Sequence, residues 1–551
     1  MNTASTRRKP NRRTRRKPKY AEIEPESRDV DISDRTWRIA AIAILIVAAI
    51  LRLYDLGLVP LHHDEGVNGN FLVHLVRDGA YQYDPANYHG PTLYYFAAFI
   101  PWILRVLGGK HAQETYGLTT VTIRLIPALF GLGTIGLIYL LRRNIGSIAT
   151  LAAALLLALS PGAVYLSRYF IHETLFTFFS LGTVVASLKF YEDRKPLLLV
   201  LAAISAALLF ATKETAMISA AVLIIALVLT PLYQWLFIQV ITDARRSTSQ
   251  SIINGFRKLI SELGGTINFW AWIAAAIVVF LVVNIIFYSS FFTNYPKGIY
   301  DALKTFQFWT KTGKEAHVHA PGTYLIWLVN QEGALFGLAV IGAAIAVLRP
   351  RNTFLLFSAM WAFGLLVAYS LVPYKTPWLT LNFIVPFAIV AGHAIQSLYD
   401  LERTRWLLPG IAMAIAVAIG GYQMIDLNFF NYDNDNPYYV YVYAHTKRGT
   451  LKLVDEINRI AQQRHEDGRI GITIVSPDYW PLPWYLRNYS RVGYYARMTP
   501  TTEPVIIASE SQKDEVESTF GEMYQQVRSD SENGSFGLRP GVDLRLYVRR
   551  N

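Results

Sequence analysis

The stretch LHHDEGVNGN (61–70) sets His62, His63, Asp64 and Glu65 side by side, shortly after a run from Ile39 to Leu51 made only of Ala, Ile, Leu and Val. Val67, Phe71 and Leu75 predict a helix that opens at this point. Carboxylates favour the positive end of a helix, which accounts for an acid here but not for its company. In SRYFIHE (167–173), Arg168 and His172 stand four apart and would share a face if the segment is helical. Glu173 follows directly. Lys213 ends an apolar run in LLFATKE, and Lys375 sits between Pro373 and Pro377 in PYKTPW. Arginine is the preferred bidentate partner of phosphate. Carboxylates beside fixed cations at headgroup depth suit transfer from a lipid-linked phosphosugar. A base takes the acceptor's proton, and positive charge receives the leaving phosphate.

These residues meet only if the elements carrying them bring them to one side of a membrane. The chain has 551 residues, 52% hydrophobic and 17% charged, against the quarter or so charged in soluble domains. Long apolar blocks cause the deficit, which predicts a polytopic membrane protein. With no Cys, disulfides, thiolate catalysis and Cys-ligated metals are excluded. Candidate spans lie at 37–58, 122–141, 146–160, 174–190, 197–212, 216–237, 268–289, 323–348, 353–372, 378–398 and 406–425. If the N-terminus is cytoplasmic, alternation puts inside the connections with Arg142 and Arg143, with Arg194 and Lys195, with Arg245, Arg246, Arg257 and Lys258, with Arg349 and Arg351, and with Arg403 and Arg405. All are basic, as the positive-inside rule requires. The same alternation puts HHDEG, SRYFIHE, ATKET and PYKTPW outside. One lysine at a span end simply snorkels to the interface; several such clusters on one side favour a shared site.

Between the first two spans, YHGPTLYYFAAFIPWIL (88–104) is apolar but broken by Pro91 and Pro101. Counting it as a span would invert every later loop, so it reads as interfacial helices. Residues 1–35 read as a disordered cytoplasmic tail, basic through Lys19 and then acidic. The tail lacks interleaved aromatics and adjoins a membrane anchor, so no nucleic-acid partner is expected. Residues 36–427 form the predicted membrane domain, with an aromatic linker and a small α/β domain in 428–551. There, 450–464 has helical spacing, and IGITIVS (470–476), PVIIASE (504–510) and DLRLYVR (543–549) read as strands. The cluster DYWPLPWYLR (478–487) reads equally as packing against the membrane part or as a sugar or lipid platform.

RLYDLGLVPLHHDEG resembles the first outer loop of GT-C glycosyltransferases, the protein O-mannosyltransferases and lipid A aminoarabinose transferases, which carry an Asp-Glu pair after the first span. YHGPTLYYF is similar to their interfacial helix, TIRLIPALFGLGTIGLIYLLRR to their Arg-Leu-Pro second span, and SRYFIHETLFTFF to their Arg-aromatic segment, with Glu173 where an Asp is usual. LLFATKE matches their span ending in lysine. Together HHDEG, YHGP, SRYFIHE and PYKTPW look like the flippase activity-associated family, a GT-C-like group.

The resemblance implies an all-α GT-C-like membrane domain of about eleven spans with a small C-terminal α/β soluble domain. The implied enzyme is a multi-pass plasma-membrane glycosyltransferase. It would move a sugar from a polyprenyl phosphate to an acceptor hydroxyl on the extracytoplasmic face, with inversion. Asp64 would be general base and Glu65 and Glu173 supporting carboxylates. Arg168, Lys213, Lys375 and His172 would hold the donor phosphate, and His63, Tyr88 and His89 would contact substrate. No cofactor is required. The pairs His63–Asp64 and His172–Glu173 nevertheless offer ligands suited to a divalent ion, as in metal-using oligosaccharyltransferases of this fold. The rival expectation is a non-catalytic handler of lipid-linked glycans, using the same cations without an ionised base.

Overall fold

The computed structural model describes residues 32–86, 89–109, 115–242, 257, 260–305, 317–401 and 406–550. The expected N-terminal tail therefore lies almost wholly outside the described residues, as do Tyr88 and the basic residues Arg245, Arg246, Lys258, Arg403 and Arg405.

Every apolar segment expected to cross the membrane is helical. The helices are α1 (Asp34–Leu53), α2 (His63–Arg77), α3 (Thr92–Leu107), α4 (Thr120–Tyr139), α5 (Ser147–Ala158), α6 (Pro161–Ser167), α7 (Glu173–Asp193), α8 (Pro196–Phe210), α9 (Ala216–Thr242), α10 (Thr266–Tyr288), α11 (Thr323–Leu348), α12 (Thr353–Leu371), α13 (Leu381–Tyr399) and α14 (Leu407–Ile425). Among the described residues, nine helices are long and apolar enough to cross a membrane. The α5–α6 pair, bent by 61°, makes a tenth as a broken span. Pro161 breaks it, because a proline cannot continue the backbone ladder of the helix before it. The fifth expected span is α8, whose 15 residues fall short of a crossing helix. The chain is a multi-pass membrane protein.

Helix α13 is the hub, buried along nearly its whole length. A side chain at Gly342 of α11 would strike the Val390 carbonyl, and one at Gly392 would strike the Ala149 carbonyl of α5. Small residues at these crossings let the backbones touch, the usual basis of helix association in lipid. At the other extreme α10 buries only Phe269 and turns apolar side chains such as Trp270, Ile277 and Leu281 outward, as a lipid-facing helix should. Helix α3 is too short to be read as a span; it buries Leu93, Tyr94 and Ala97 and exposes Phe99, Ile103 and Val106.

The C-terminal domain begins with α15 (Gly449–Gln463), whose Leu453, Val454, Ile457 and Ala461 pack on a six-stranded sheet. Strands β1 (Ile472–Ile474), β3 (Val505–Ser509) and β6 (Val542–Arg549) are the three read from sequence; β2 (Val492–Tyr494), β4 (Tyr524–Val527) and β5 (Phe536–Arg539) join them. The order is β2-β1-β3-β6-β4, with β5 also on β6. The first three strands are parallel and the pairings to β6 antiparallel. Trp484 of the aromatic stretch is buried in the core formed by α2 and α3. Gly66 and Gly69 make room for it: a Cβ at either would lie 2.5 Å from Pro481 or 2.6 Å from Trp484. The Tyr485 hydroxyl accepts the Leu61 N–H at 2.8 Å. This half of DYWPLPWYLR fastens the soluble domain to the membrane part.

Candidate active site

The segments that carry the charged motifs converge. Glu65 and Asn68 of α2 grip the backbone of SRYFIHE: Phe170 N–H donates to Glu65 Oε1 at 2.7 Å, and Asn68 Nδ2 donates to the Phe170 carbonyl at 3.0 Å. His172 Nε2 meets the Gly90 carbonyl at 3.0 Å. Gly90 in turn pairs with ATKET, donating its N–H to the Thr212 carbonyl at 3.0 Å. Only glycine fits there, since a Cβ would sit 2.0 Å from the Ala211 oxygen. The His62 ring lies 5.6 Å from Tyr169 and 5.9 Å from Trp378 of PYKTPW.

Most of the charges in this assembly hold one another. Glu65 is fully buried. It forms a two-pronged pair with Arg124 of α4, Nε–Oε1 2.7 Å and Nη2–Oε2 2.6 Å. It also accepts the His62 N–H at 2.9 Å, while His62 Nδ1 accepts the Asp64 N–H at 3.1 Å, a reciprocal cap on the first turn of α2. Arg124 donates onward to the carbonyls of Leu56 and Val59, fixing the loop between α1 and α2. Glu173 is ion-paired with Lys213, both buried. Burial alone would depress the Lys213 pKa, but Glu173 and Glu214 outweigh it and hold it above the ordinary range. His89 Nδ1 lies 3.2 Å from Glu214 Oε2. Burial pushes the His172 pKa well below the ordinary value, with His89 and Lys213 adding to the effect.

Arg168 was expected to hold phosphate. Its guanidinium instead donates to the carbonyls of Leu51, Tyr54 and Asp55, where α1 ends and leaves its last oxygens unpaired. The candidate metal ligands likewise do not assemble. His63 turns toward Arg539 of β5, Nδ1–Nη1 3.3 Å, and lies 6.2 Å from Trp480, whereas His172 turns to Gly90. Among the described residues no three ligating side chains are placed to hold an ion. The cation beside Glu173 and Glu214 is Lys213 itself.

Two groups stand apart from this frame. Asp64, in the first turn of α2, has a side chain 42% exposed, and its Oδ2 lies 3.9 Å from His62 Nδ1. Lys375 is 1% exposed, yet its ammonium bonds the Val372 carbonyl and no carboxylate among the described residues. It sits 5.9 Å from the Tyr324 ring, and burial lowers its pKa. The 373–375 backbone pairs with 317–319, Lys375 N–H donating to the His317 carbonyl at 3.0 Å. A buried cation without a counter-charge is costly unless an anion joins it.

Two structural residues were given no role from the sequence. Arg124 had a signal, a lone arginine in an apolar span. Glu332 had the same signal in LIWLVNQEGALF: buried where α11 kinks, it accepts from Gly162 N–H at 2.7 Å and Ser160 Oγ at 2.9 Å, capping α6.

Nine or ten helices able to cross a membrane among the described residues, one of them broken at Pro161, and a small C-terminal sheet domain make up the fold shared with GT-C membrane glycosyltransferases. The chain has this fold, and residues 98–242 match the family model "Dolichyl-phosphate-mannose-protein mannosyltransferase". Among solved structures it is similar to ArnT from Cupriavidus metallidurans bound to undecaprenyl phosphate: TM-score 0.60, 14% identity, 93% of this chain and 98% of that one. It is also similar to the oligosaccharyltransferase AglB from Archaeoglobus fulgidus in complex with an inhibitory peptide and a dolichol-phosphate: TM-score 0.51, 13% identity, covering 91% and 74%. A sequence comparison with curated proteins finds no match.

Proposed function

We propose that this protein transfers a sugar from a polyprenyl-phosphate carrier to an acceptor hydroxyl on the extracytoplasmic face of the plasma membrane, with inversion. The observation that carries the reading is the division of labour in HHDEG. Glu65 is locked by Arg124, while Asp64 alongside keeps an exposed carboxylate without an arginine or lysine partner among the described residues. Asp64 takes the proton from the acceptor O–H as that oxygen bonds to the anomeric carbon. The bond from that carbon to the phosphate oxygen breaks, and the lipid phosphate leaves with the electron pair. It needs no proton, since Lys375 is the cation that receives it. The carrier-bound ArnT and AglB structures support this donor class. Closer kinship with the flippase-associated group rests on the four short motifs alone.

The test is turnover of a synthetic polyprenyl-phosphosugar by purified protein and by Asp64→Asn. The reading expects a loss of about 10²–10⁴-fold, the usual worth of a positioned base, with carrier binding retained. Unchanged turnover removes Asp64 from the chemistry. Carrier binding without transfer to any acceptor favours the non-catalytic handler.

A further inference from the structure

The aromatic stretch 478–487 divides in two. Trp484 and Tyr485 are anchors, but Tyr479 and Trp480 remain half-buried on the face of the soluble domain that meets the first turn of α2. The Tyr479 ring lies 5.7 Å from Trp480, tilted 33°, and 5.2 Å from Tyr494 on edge strand β2, tilted 41°. Neither the Tyr479 nor the Tyr494 hydroxyl bonds a protein group among the described residues. Trp480 adjoins His63, the residue before Asp64. At the same place Arg539 is ion-paired with Asp478, whose side chain is 42% exposed, and reaches His63 Nδ1. Arginine only donates, so this nitrogen is the acceptor and the imidazole proton is on Nε2.

We infer that Tyr479, Trp480 and Tyr494, with the Arg539–Asp478 pair, form a subsite for the saccharide portion of the acceptor. Stepped aromatic faces suit the C–H faces of pyranose rings, and phenols and a guanidinium–carboxylate pair suit their hydroxyls. The charges cancel, which disfavours a phosphate head; a lipid tail would strand the ion pair in an apolar contact. The assignment of this saccharide to the acceptor rests on the transferase reading, whereas saccharide binding itself does not.

The experiment uses the full chain in detergent, without donor, and a panel of neutral trisaccharides of mannose, glucose and N-acetylglucosamine. Saturation-transfer NMR should show contact at ring C–H protons for at least one trisaccharide. Tyr494→Ala and Tyr479→Ala should each weaken binding about tenfold. Tyr494→Phe, which keeps the ring, should retain most of it. This binding is read without donor or turnover, so a failed mechanism and a failed subsite are distinguishable. In turnover, Tyr494→Ala should raise the acceptor KM and leave the donor KM unchanged. No binding across the panel, binding insensitive to Tyr494→Ala at an unchanged melting temperature, or a shift in the donor KM instead would overturn the proposal.

Discussion

The adjacent acids Asp64 and Glu65 should respond to amide substitution in opposite ways. Glu65→Gln keeps the shape of a side chain that is 0% exposed and removes only its charge, leaving the Arg124 guanidinium, 2% exposed, without its counter-ion. Breaking a buried pair from one side costs about 3–5 kcal/mol, a shift of about a hundred- to a few-thousand-fold in the folding equilibrium. Asp64→Asn removes a half-exposed charge at a helix start, worth about 0.3–1 kcal/mol. Intrinsic-fluorescence melting in detergent should therefore show a clear drop for Glu65→Gln and little change for Asp64→Asn, while turnover per folded molecule falls chiefly for Asp64→Asn. Adding Arg124→Met to Glu65→Gln should restore much of the melting temperature, because the stranded cation goes with its partner. A Glu65→Gln protein that melts like the parent but does not turn over would refute this assignment and make Glu65 the chemical group.

Lys375→Met should weaken capture of the polyprenyl phosphate by more than tenfold in a carrier-binding assay, yet raise the melting temperature near neutral pH. Because burial lowers the Lys375 pKa, its unfavourable charge is present at low pH and relieved as pH rises toward the unfolded value, so the stabilisation by methionine should shrink in alkali. The depressed pKa of His172 predicts the corresponding acid effect. Its neutral form stabilises the fold above the ordinary imidazole pKa, and that contribution is lost as pH falls below it; His172→Gln, which keeps a donor for Gly90, should flatten this part of the melting-versus-pH curve. Gly66→Ala places a Cβ 2.8 Å from the Pro481 backbone, so the soluble domain should shift and thermal stability drop by about 1–3 kcal/mol.

What could be read from sequence was what depends on composition along the chain. Eleven apolar runs became eleven helical segments, one bent at Pro161 and one, α8, too short to be read as a span from its length. The strands with apolar runs or clear alternation were visible; β2, β4 and β5, with sequences VGY, YQQV and FGLR, were not, because pairing with β1 and β6 rather than their own residues makes them strands. Side-chain roles were the harder part. Arg168 and Arg124 are both arginines near span ends, and no local pattern distinguishes one that caps α1 from one that neutralises an acid 59 residues away.

That limit has a physical basis in the low-dielectric surroundings of the site. A charge drawn into such a place is stable only with its counter-charge or with backbone dipoles, so most conspicuous ionisable residues there end up holding the frame. Arg52 bonds the carbonyls of Ala48, Leu157 and Ala158, Arg168 those of Leu51, Tyr54 and Asp55, and Lys213 is ion-paired with Glu173. The proposed chemistry uses groups this accounting leaves over: a carboxylate that has kept its access to solvent and an ammonium buried without an anion among the described residues. Asp64 and Lys375 meet those two descriptions, which is why the proposed transfer assigns the acceptor's proton to one and the carrier's phosphate to the other.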